Sequence, residues 1–164
     1  MTALTTPKTW GSEPLVSSDM NTYIRDNQLY FADRPGAYYD VTANLSTSST
    51  SFVDIDATNL SLTITPSTAL VLVAFTGTFE SGSAMDFFFD MLKDGVSIGG
   101  TEGVAGAYHP AASSPLTVSW RSFVAVTAGV SVTFKMQWKN EFAVANNWLG
   151  STNTPGQFSV KDAT

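Results

Sequence analysis

The sequence predicts a mainly β protein, an antiparallel β-sandwich or jelly roll that follows an N-terminal extended arm and one short α-helix. From residue 37 onward, apolar and polar residues alternate in short runs, which turn residues interrupt about every eight to twelve positions. Residues 1–36 instead hold one helical pattern that stops at Arg34-Pro35-Gly36. We therefore expect an anchoring segment, residues 1–36, and a β domain, residues 37–164.

The anchoring segment contains a polar arm with Trp10 and then a predicted helix, SSDMNTYIRDNQLYF. A helix of about fourteen residues is marginal in water unless an apolar face docks against a partner. We expect Trp10 to enter a pocket of that partner, an apolar stripe to dock, and polar residues to give the contact its direction. The predicted anchoring residues are Trp10, Met20, Asn21, Ile24, Arg25, Asp26, Asn27 and Phe31.

The first half of the β domain contains three predicted strands. Residues 52–56 begin the alternation, and residues 60–64 continue it until Pro66. Residues 70–79, LVLVAFTGTF, are apolar on both faces in their first half, which predicts a central strand covered on both sides. Just before these strands, Tyr38 and Tyr39 are candidates for hinge packing or a subunit interface.

The second half contains the most regular pattern. Residues 84–92 predict a strand, and Lys93-Asp94-Gly95-Val96 predicts a tight hairpin because Asp-Gly accepts positive φ. The partner strand of this hairpin is predicted to be short, residues 96–98. Residues 99–115 read as a long loop. The later predicted strands are 116–126, 130–138 after the Ala128-Gly129 turn, and a closing strand around Phe158 and Val160, with an irregular stretch through Asn146-Asn147-Trp148 between the last two.

Composition excludes several function classes. Lys and Arg total 8 against 14 Asp and Glu without a basic cluster, which disfavours nucleic acid as a partner. The absence of cysteine excludes disulfides, thiolate metal sites and a cysteine nucleophile. No apolar run approaches a membrane span, and the N-terminus lacks a signal-peptide pattern. We expect a soluble chain with no membrane partner, no cofactor and no metal.

Few residues suggest catalysis. His109 is the only histidine, and no nucleophile motif accompanies it. Asp54 and Asp56 share a strand face, as do Asp86 and Asp90, so either pair could bind calcium or flank a glycosidic bond. Neither pair has a diagnostic motif, and solvated carboxylates are the favoured interpretation. We therefore expect a protein that is not an enzyme. The second acidic face, which includes Phe88, is also a candidate contact with another subunit.

A candidate glycan contact combines Tyr108, His109 and Trp148. Trp148 follows two asparagines in a loop-like sequence, where an indole can stack on a sugar ring. The favoured alternative for Trp148 is a buried anchor of a loop. Trp120 and Trp138 fall on the apolar side of alternating strands and are predicted core residues.

The N-terminal residues resemble the opening of tailed-bacteriophage structural proteins. The resemblance rests on Trp10, on Asn21-Thr22-Tyr23-Ile24-Arg25-Asp26-Asn27, which has the form Asn-x-x-x-Arg-Asp-Asn, and on Arg34-Pro35. It implies a virion structural protein that is made in the bacterial host cytoplasm, lies on the particle surface and contacts other virion proteins of the capsid or tail.

The β domain is similar to the trimeric jelly rolls of the C1q and tumour-necrosis-factor type. The similarity rests on the Lys93-Asp94-Gly95 hairpin, the Ala128-Gly129 turn before 130-VSVTFKMQW-138 and the closing strand, and it implies a homotrimer. The preferred hypothesis is a non-enzymatic capsid decoration, head-fibre or tail-fibre component. The alternative is a glycan- or receptor-binding module of a tail fibre, which would contact a host surface glycan.

Overall fold

The computed structural model describes residues 35–152 and 155–163, which form two packed antiparallel β-sheets. The predicted helix and the predicted anchoring residues from Trp10 to Phe31 lie outside the described residues. The strands, in chain order, are β1 (Gly36–Val41), β2 (Leu45–Thr47), β3 (Val53–Asp54), β4 (Ser61–Ile64), β5 (Leu70–Ser81), β6 (Met85–Lys93), β7 (Val96–Ser97), β8 (Ala105–His109), β9 (Leu116–Ala125), β10 (Val132–Asn140), β11 (Asn146–Leu149) and β12 (Gly156–Asp162).

One sheet, sheet A, is built around the long strand β5. Strand β9 pairs with one side of β5, while β12 and β11 lie end to end along the other side, with β1 outside β12 and β2 outside β11. In the other sheet, sheet B, β10 and β6 pair at the centre. Strands β3 and β4 flank β10, and β7 and β8 flank β6.

The chain crosses between the sheets from β2 to β3, β4 to β5, β5 to β6, β8 to β9, β9 to β10 and β10 to β11. These repeated crossings are the connectivity of a jelly-roll sandwich. The predicted antiparallel β-sandwich is therefore confirmed for the described residues.

The predicted strands correspond to β3, β4, β5, β6, β7, β9, β10 and β12. The predicted hairpin is also confirmed, since Asp94 and Gly95 have φ values of 50° and 81° and Lys93 pairs with Val96. Positive φ at two successive residues matches the right-handed twist of the strands that the turn joins.

Two stretches predicted as irregular are strands. Residues 99–115, predicted as one loop, contain β8, and the stretch around Asn146 forms β11. Alanine, glycine and asparagine are depleted in strands, so composition disfavoured both assignments. Both strands form because a longer neighbour supplies their hydrogen bonds, β6 in one case and β5 in the other. Strands β1 and β2 were also not predicted.

The core between the sheets is mainly aromatic. Phe75, Phe79, Phe87 and Phe89 lie in close ring contact, with centroids 4.8 to 5.6 Å apart. The predicted core residue Trp138 is buried, whereas Trp120 is only half-buried because β9 is an edge strand.

Candidate functional site

The outer face of sheet A carries apolar side chains that no described residue covers. In the register of β5 and β9, Leu72 lies opposite Phe123 and Ala74 lies opposite Arg121. Directly opposed residues of antiparallel strands point to the same side of a sheet. Phe123 is 65% exposed, and a cavity of about 330 Å³ opens beside it.

Strand β1 extends this surface. Tyr38 lies opposite Ser159, which lies opposite Ala74 on β5, so Tyr38 belongs to the same outer face. Its side chain is 69% exposed, while its neighbour Tyr39 packs against the core. We call the surface formed by Tyr38, Leu72, Ala74, Arg121 and Phe123 the sheet A face.

Exposed apolar patches on folded domains commonly mark interaction sites. Tyr38 was an interface candidate from the sequence, whereas Phe123 was not. Phe123 lies two residues after Arg121 and four after Ser119, so in an alternating strand it is on the same side as these polar residues. This periodicity predicts that its ring points away from the core.

The predicted glycan-contact residues do not form one surface. His109 and Trp148 each have 0% exposed area, whereas Tyr108 is 57% exposed on the opposite side of β8 from His109. A fully buried ring cannot stack on a sugar, so the assignments of His109 and Trp148 to glycan contact are corrected to packing roles. Of the three, only Tyr108 has a surface on which a ligand could stack.

Trp148 fills the space where β11 and β12 meet along β5. Its ring packs 5.0 Å from that of Phe79. A Cβ atom built on Gly77 would lie 2.3 Å from Trp148 Nε1, and one built on Gly156 would lie 2.2 Å from it. The two glycines therefore make room for the indole, as expected for a buried anchor.

His109 lies in the core at the same end of the sandwich. Its ring stacks on Phe87 with centroids 4.6 Å apart and an interplanar angle of 24°. Burial lowers the pKa of His109, an effect opposed by the backbone of Ser114, the side chain of Asn146 and the charge of Glu80. The ring is therefore held in its neutral form at neutral pH.

The carboxylates of Asp54 and Asp56 have structural partners. Asp54 accepts from Lys135 Nζ at 3.0 Å and Gln137 Nε2 at 2.8 Å. Burial raises the pKa of Asp54, but these two partners outweigh it and the net pKa is lowered. Asp56 accepts from the backbone N–H of Asn59 at 2.9 Å, which lowers its pKa.

The Asp86 and Asp90 face is partly covered by the chain itself. Asp90 is buried and accepts a hydrogen bond from Gly99 N at 3.1 Å. Lys139 Nζ lies 4.9 Å from the centroid of Phe88 and donates to Thr101 O at 2.8 Å. The loop after β7 therefore covers part of this face, around Asp90, while Asp86 and Phe88 stay partly exposed. A contact of this face with another subunit stays a prediction.

The described residues contain no group of three or more His, Cys, Asp or Glu side chains placed to hold a metal ion. Within residues 35–152 and 155–163, no helix is long and apolar enough to cross a membrane.

Asp162 closes the end of sheet A, where it binds the β4–β5 turn. It accepts from Ser67 N at 2.8 Å and Thr68 N at 3.3 Å, and from both hydroxyl groups. Burial raises the pKa of Asp162, but these hydrogen bonds outweigh it and the net pKa is lowered.

We expect Asp162→Asn to lower the free energy of unfolding at pH 7 by about 1–3 kcal/mol, because it removes a buried charged acceptor. A depressed carboxyl pKa stabilises the folded state above the unfolded value of 3.8 and loses that effect as the pH falls through the folded pKa. Urea unfolding at pH 7 and pH 3 should therefore show a smaller difference between wild type and variant at pH 3. Asp86→Asn is the matched control, and an equal loss in both variants would contradict this role.

Comparison with known proteins gives fold-level similarity only. No protein-family model matches the sequence, and no curated protein matches it. Among solved structures, the Eiger TNF from S. frugiperda is similar at 9% identity, covering 80% of this chain and 94% of that chain with a TM-score of 0.48. A chain of the T13 IBDV viral particle is similar at 9% identity over 79% of this chain and 36% of that chain, with a TM-score of 0.34. Matches at this level do not establish shared function or partners.

Proposed function

We propose that this chain is a non-enzymatic structural protein of a tailed-bacteriophage virion, a capsid decoration, head-fibre or tail-fibre component. It is made in the bacterial host cytoplasm and is carried on the particle surface. Its N-terminal segment attaches to capsid or tail proteins, and its β domain is displayed outward as a homotrimer. The phage assignment rests on the N-terminal sequence pattern, and the trimer rests on the similarity of the β domain to trimeric jelly rolls.

The observation that best supports self-association is the sheet A face. Two aromatic side chains, Tyr38 and Phe123, are mostly exposed on the outer face of sheet A, where Leu72 lies opposite Phe123. The adjacent strand β9 is an edge strand of ten residues that pairs only with β5 among the described strands. Long unprotected edges and apolar faces favour association with another chain. A second and a third copy of this domain would cover both.

Phe123→Lys is the variant that tests the surface. A lysine buried at each subunit contact would be desolvated without a partner, so we expect the trimer to dissociate into folded monomers. Phe142 is the matched control because its side chain is also exposed, at 52%, but lies in the β10–β11 connection. Light scattering should give a monomer for Phe123→Lys and a trimer for Phe142→Lys. A trimer in both variants would exclude the sheet A face as the contact.

Attachment has a separate test. The chain without residues 1–34 is added to particles of the phage that encodes the protein, prepared with its gene deleted, and compared with the full-length chain. We expect the full-length protein to bind and the truncated protein, with β-rich circular dichroism retained, to stay in solution. Full occupancy of the particles by the truncated protein would refute the anchoring role.

A further inference from the structure

Four buried polar atoms of the core have no hydrogen-bond partner among the described residues. They are both ring nitrogens of His109, Asn146 Oδ1 and Trp148 Nε1. Buried polar atoms without partners are rare in folded proteins, and each needs a physical explanation. His109 comes from sheet B and Asn146 from sheet A, so this cluster bridges the two sheets.

The orientation of Asn146 follows from its neighbour. Asn140 Nδ2 donates to Thr47 O at 3.1 Å and Val144 O at 2.7 Å, so both of its N–H groups are used and its Oδ1 must accept. Asn146 Nδ2 is the donor to that oxygen, at 3.5 Å. The remaining atom of the amide, Asn146 Oδ1, is then an acceptor.

The ring of His109 therefore has two neighbours that favour an added proton, the Asn146 side chain and the backbone of Ser114. A neutral imidazole carries one N–H and cannot donate to two acceptors at once. An imidazolium could donate to both, but it would be a charge buried in an apolar site. The two protonation states of His109 therefore differ in how many hydrogen bonds the ring can donate and in whether a charge is buried.

Little around the ring compensates a positive charge. Strand β6 contributes the apolar ring of Phe87, β11 contributes the amide of Asn146, and the β8–β9 connection contributes Ser114. Glu80 of β5 is the one carboxylate in the described residues that acts on the ring. Its side chain is half-buried on the outer side of β5 and makes no hydrogen bond to the imidazole.

The β8–β9 connection, residues 110–115, follows His109 directly. Ser113 N donates to Ser81 O at 2.9 Å, and Ser113 has a φ of 55°, in the left-handed region that non-glycine residues rarely adopt. Such a conformation is retained only where the surrounding structure holds it. The ring of His109, stacked on Phe87, fixes the end of β8 from which this connection starts.

We propose that His109 is an acid-sensitive latch, which in its neutral form holds the β8–β9 connection against the end of the sandwich and releases it on protonation. This regulation is a property of the β domain alone and does not depend on the proposed virion role. It would make one end of the β domain more open in mildly acidic surroundings.

The direction of the pH effect follows from linkage. The folded state disfavours protonation of His109, so the unfolded chain binds the proton first as the pH falls below about 6.5. The contribution of neutral His109 to the free energy of unfolding is therefore fully present above that pH. It decreases on acidification until His109 is also protonated in the folded state. The carboxylates with lowered pKa values act at lower pH, which separates the two effects.

The test uses the full-length wild-type protein and His109→Gln, which does not titrate, with Tyr108→Gln as the control on the same strand. We expect the urea midpoint to fall between pH 7 and pH 5 in wild type and Tyr108→Gln, and to stay nearly constant in His109→Gln. The same loss in all three proteins would overturn the proposal.

A second measurement needs no variant. The imidazole signals of wild type, followed by NMR, should titrate below pH 6.5, and the protection factor of the Ser113 amide should fall several-fold from pH 7 to pH 5. A midpoint at or above 6.5, or a protection factor for Ser113 that does not change, would also overturn the latch. At one fixed protein concentration, these results require neither a trimer nor particle binding, so they distinguish failure of the latch from failure of the proposed function.

Discussion

Gly77→Ala is expected to destabilise the β domain by about 3 kcal/mol or more, a large effect for one added methyl group. The new Cβ would lie 2.3 Å from Nε1, 2.5 Å from Cε2 and 2.8 Å from Cζ2 of Trp148. The indole cannot move away, because a Cβ on Gly156 would meet the same ring at 2.2 Å and Phe79 packs beside it. Urea unfolding at a fixed protein concentration measures the change.

A double-mutant cycle shows whether the indole is the cause. We expect Gly77→Ala to cost much less in a Trp148→Leu background, because the smaller side chain leaves room for the methyl group. Gly100→Ala is the matched control, since a Cβ there meets nothing within 4 Å. If Gly77→Ala costs the same in both backgrounds, the close contact with Trp148 is not its cause.

Phe89→Ala should cost about 3–5 kcal/mol, the range for deleting a buried aromatic side chain. Phe89 is fully buried, and its ring lies 4.8 Å from Phe75, 4.8 Å from Phe79 and 5.3 Å from Phe87. It therefore connects the aromatic side chains of β5 with those of β6, and its loss leaves a cavity between the two sheets.

Phe142→Ala is the control for this substitution, because it removes the same atoms from an exposed position. We expect its effect on the free energy of unfolding to stay within about 0.5 kcal/mol. Both variants should be compared at several protein concentrations, since the stability of an oligomer depends on concentration. A loss below about 1 kcal/mol for Phe89→Ala would show that the two sheets do not pack as described.

The strands that the sequence predicted are those with strong alternation. Residues 130–139 alternate apolar and polar side chains strictly, and β10 buries every second residue. The Asp94-Gly95 turn was predictable because few dipeptides accept positive φ at both positions. In both cases the pattern is local, so it can be read without knowing the neighbouring strands.

The strands that the sequence missed depend on distant partners. Strand β11, with the sequence NNWL, has weak strand propensity and is held by β5 and β2. The same dependence concealed the role of His109, whose ring is buried against Phe87 of another strand. Trp148 is buried, in agreement with the favoured interpretation of it as a buried anchor. The space for the Trp148 indole is provided by Gly77 and Gly156, which only the fold brings together.

The sheet A face was partly predictable. Tyr38 was identified as an interface candidate from its position after the linker turn, and the alternation of residues 116–126 places Phe123 on the polar side of its strand. What alternation cannot give is the alignment of β1, β12, β5 and β9, which brings Tyr38 and Phe123 onto one surface. Strand order is a tertiary property and has no local sequence signal here.

The proposed function requires that this protein assemble as a homotrimer through its β domain. Light scattering coupled to size-exclusion chromatography of the full-length chain tests it most directly, over a range of protein concentrations. We predict a native mass three times that of one chain. A monomer at every concentration would contradict the account, because the sheet A face would then remain exposed in the isolated protein without a second copy to cover it.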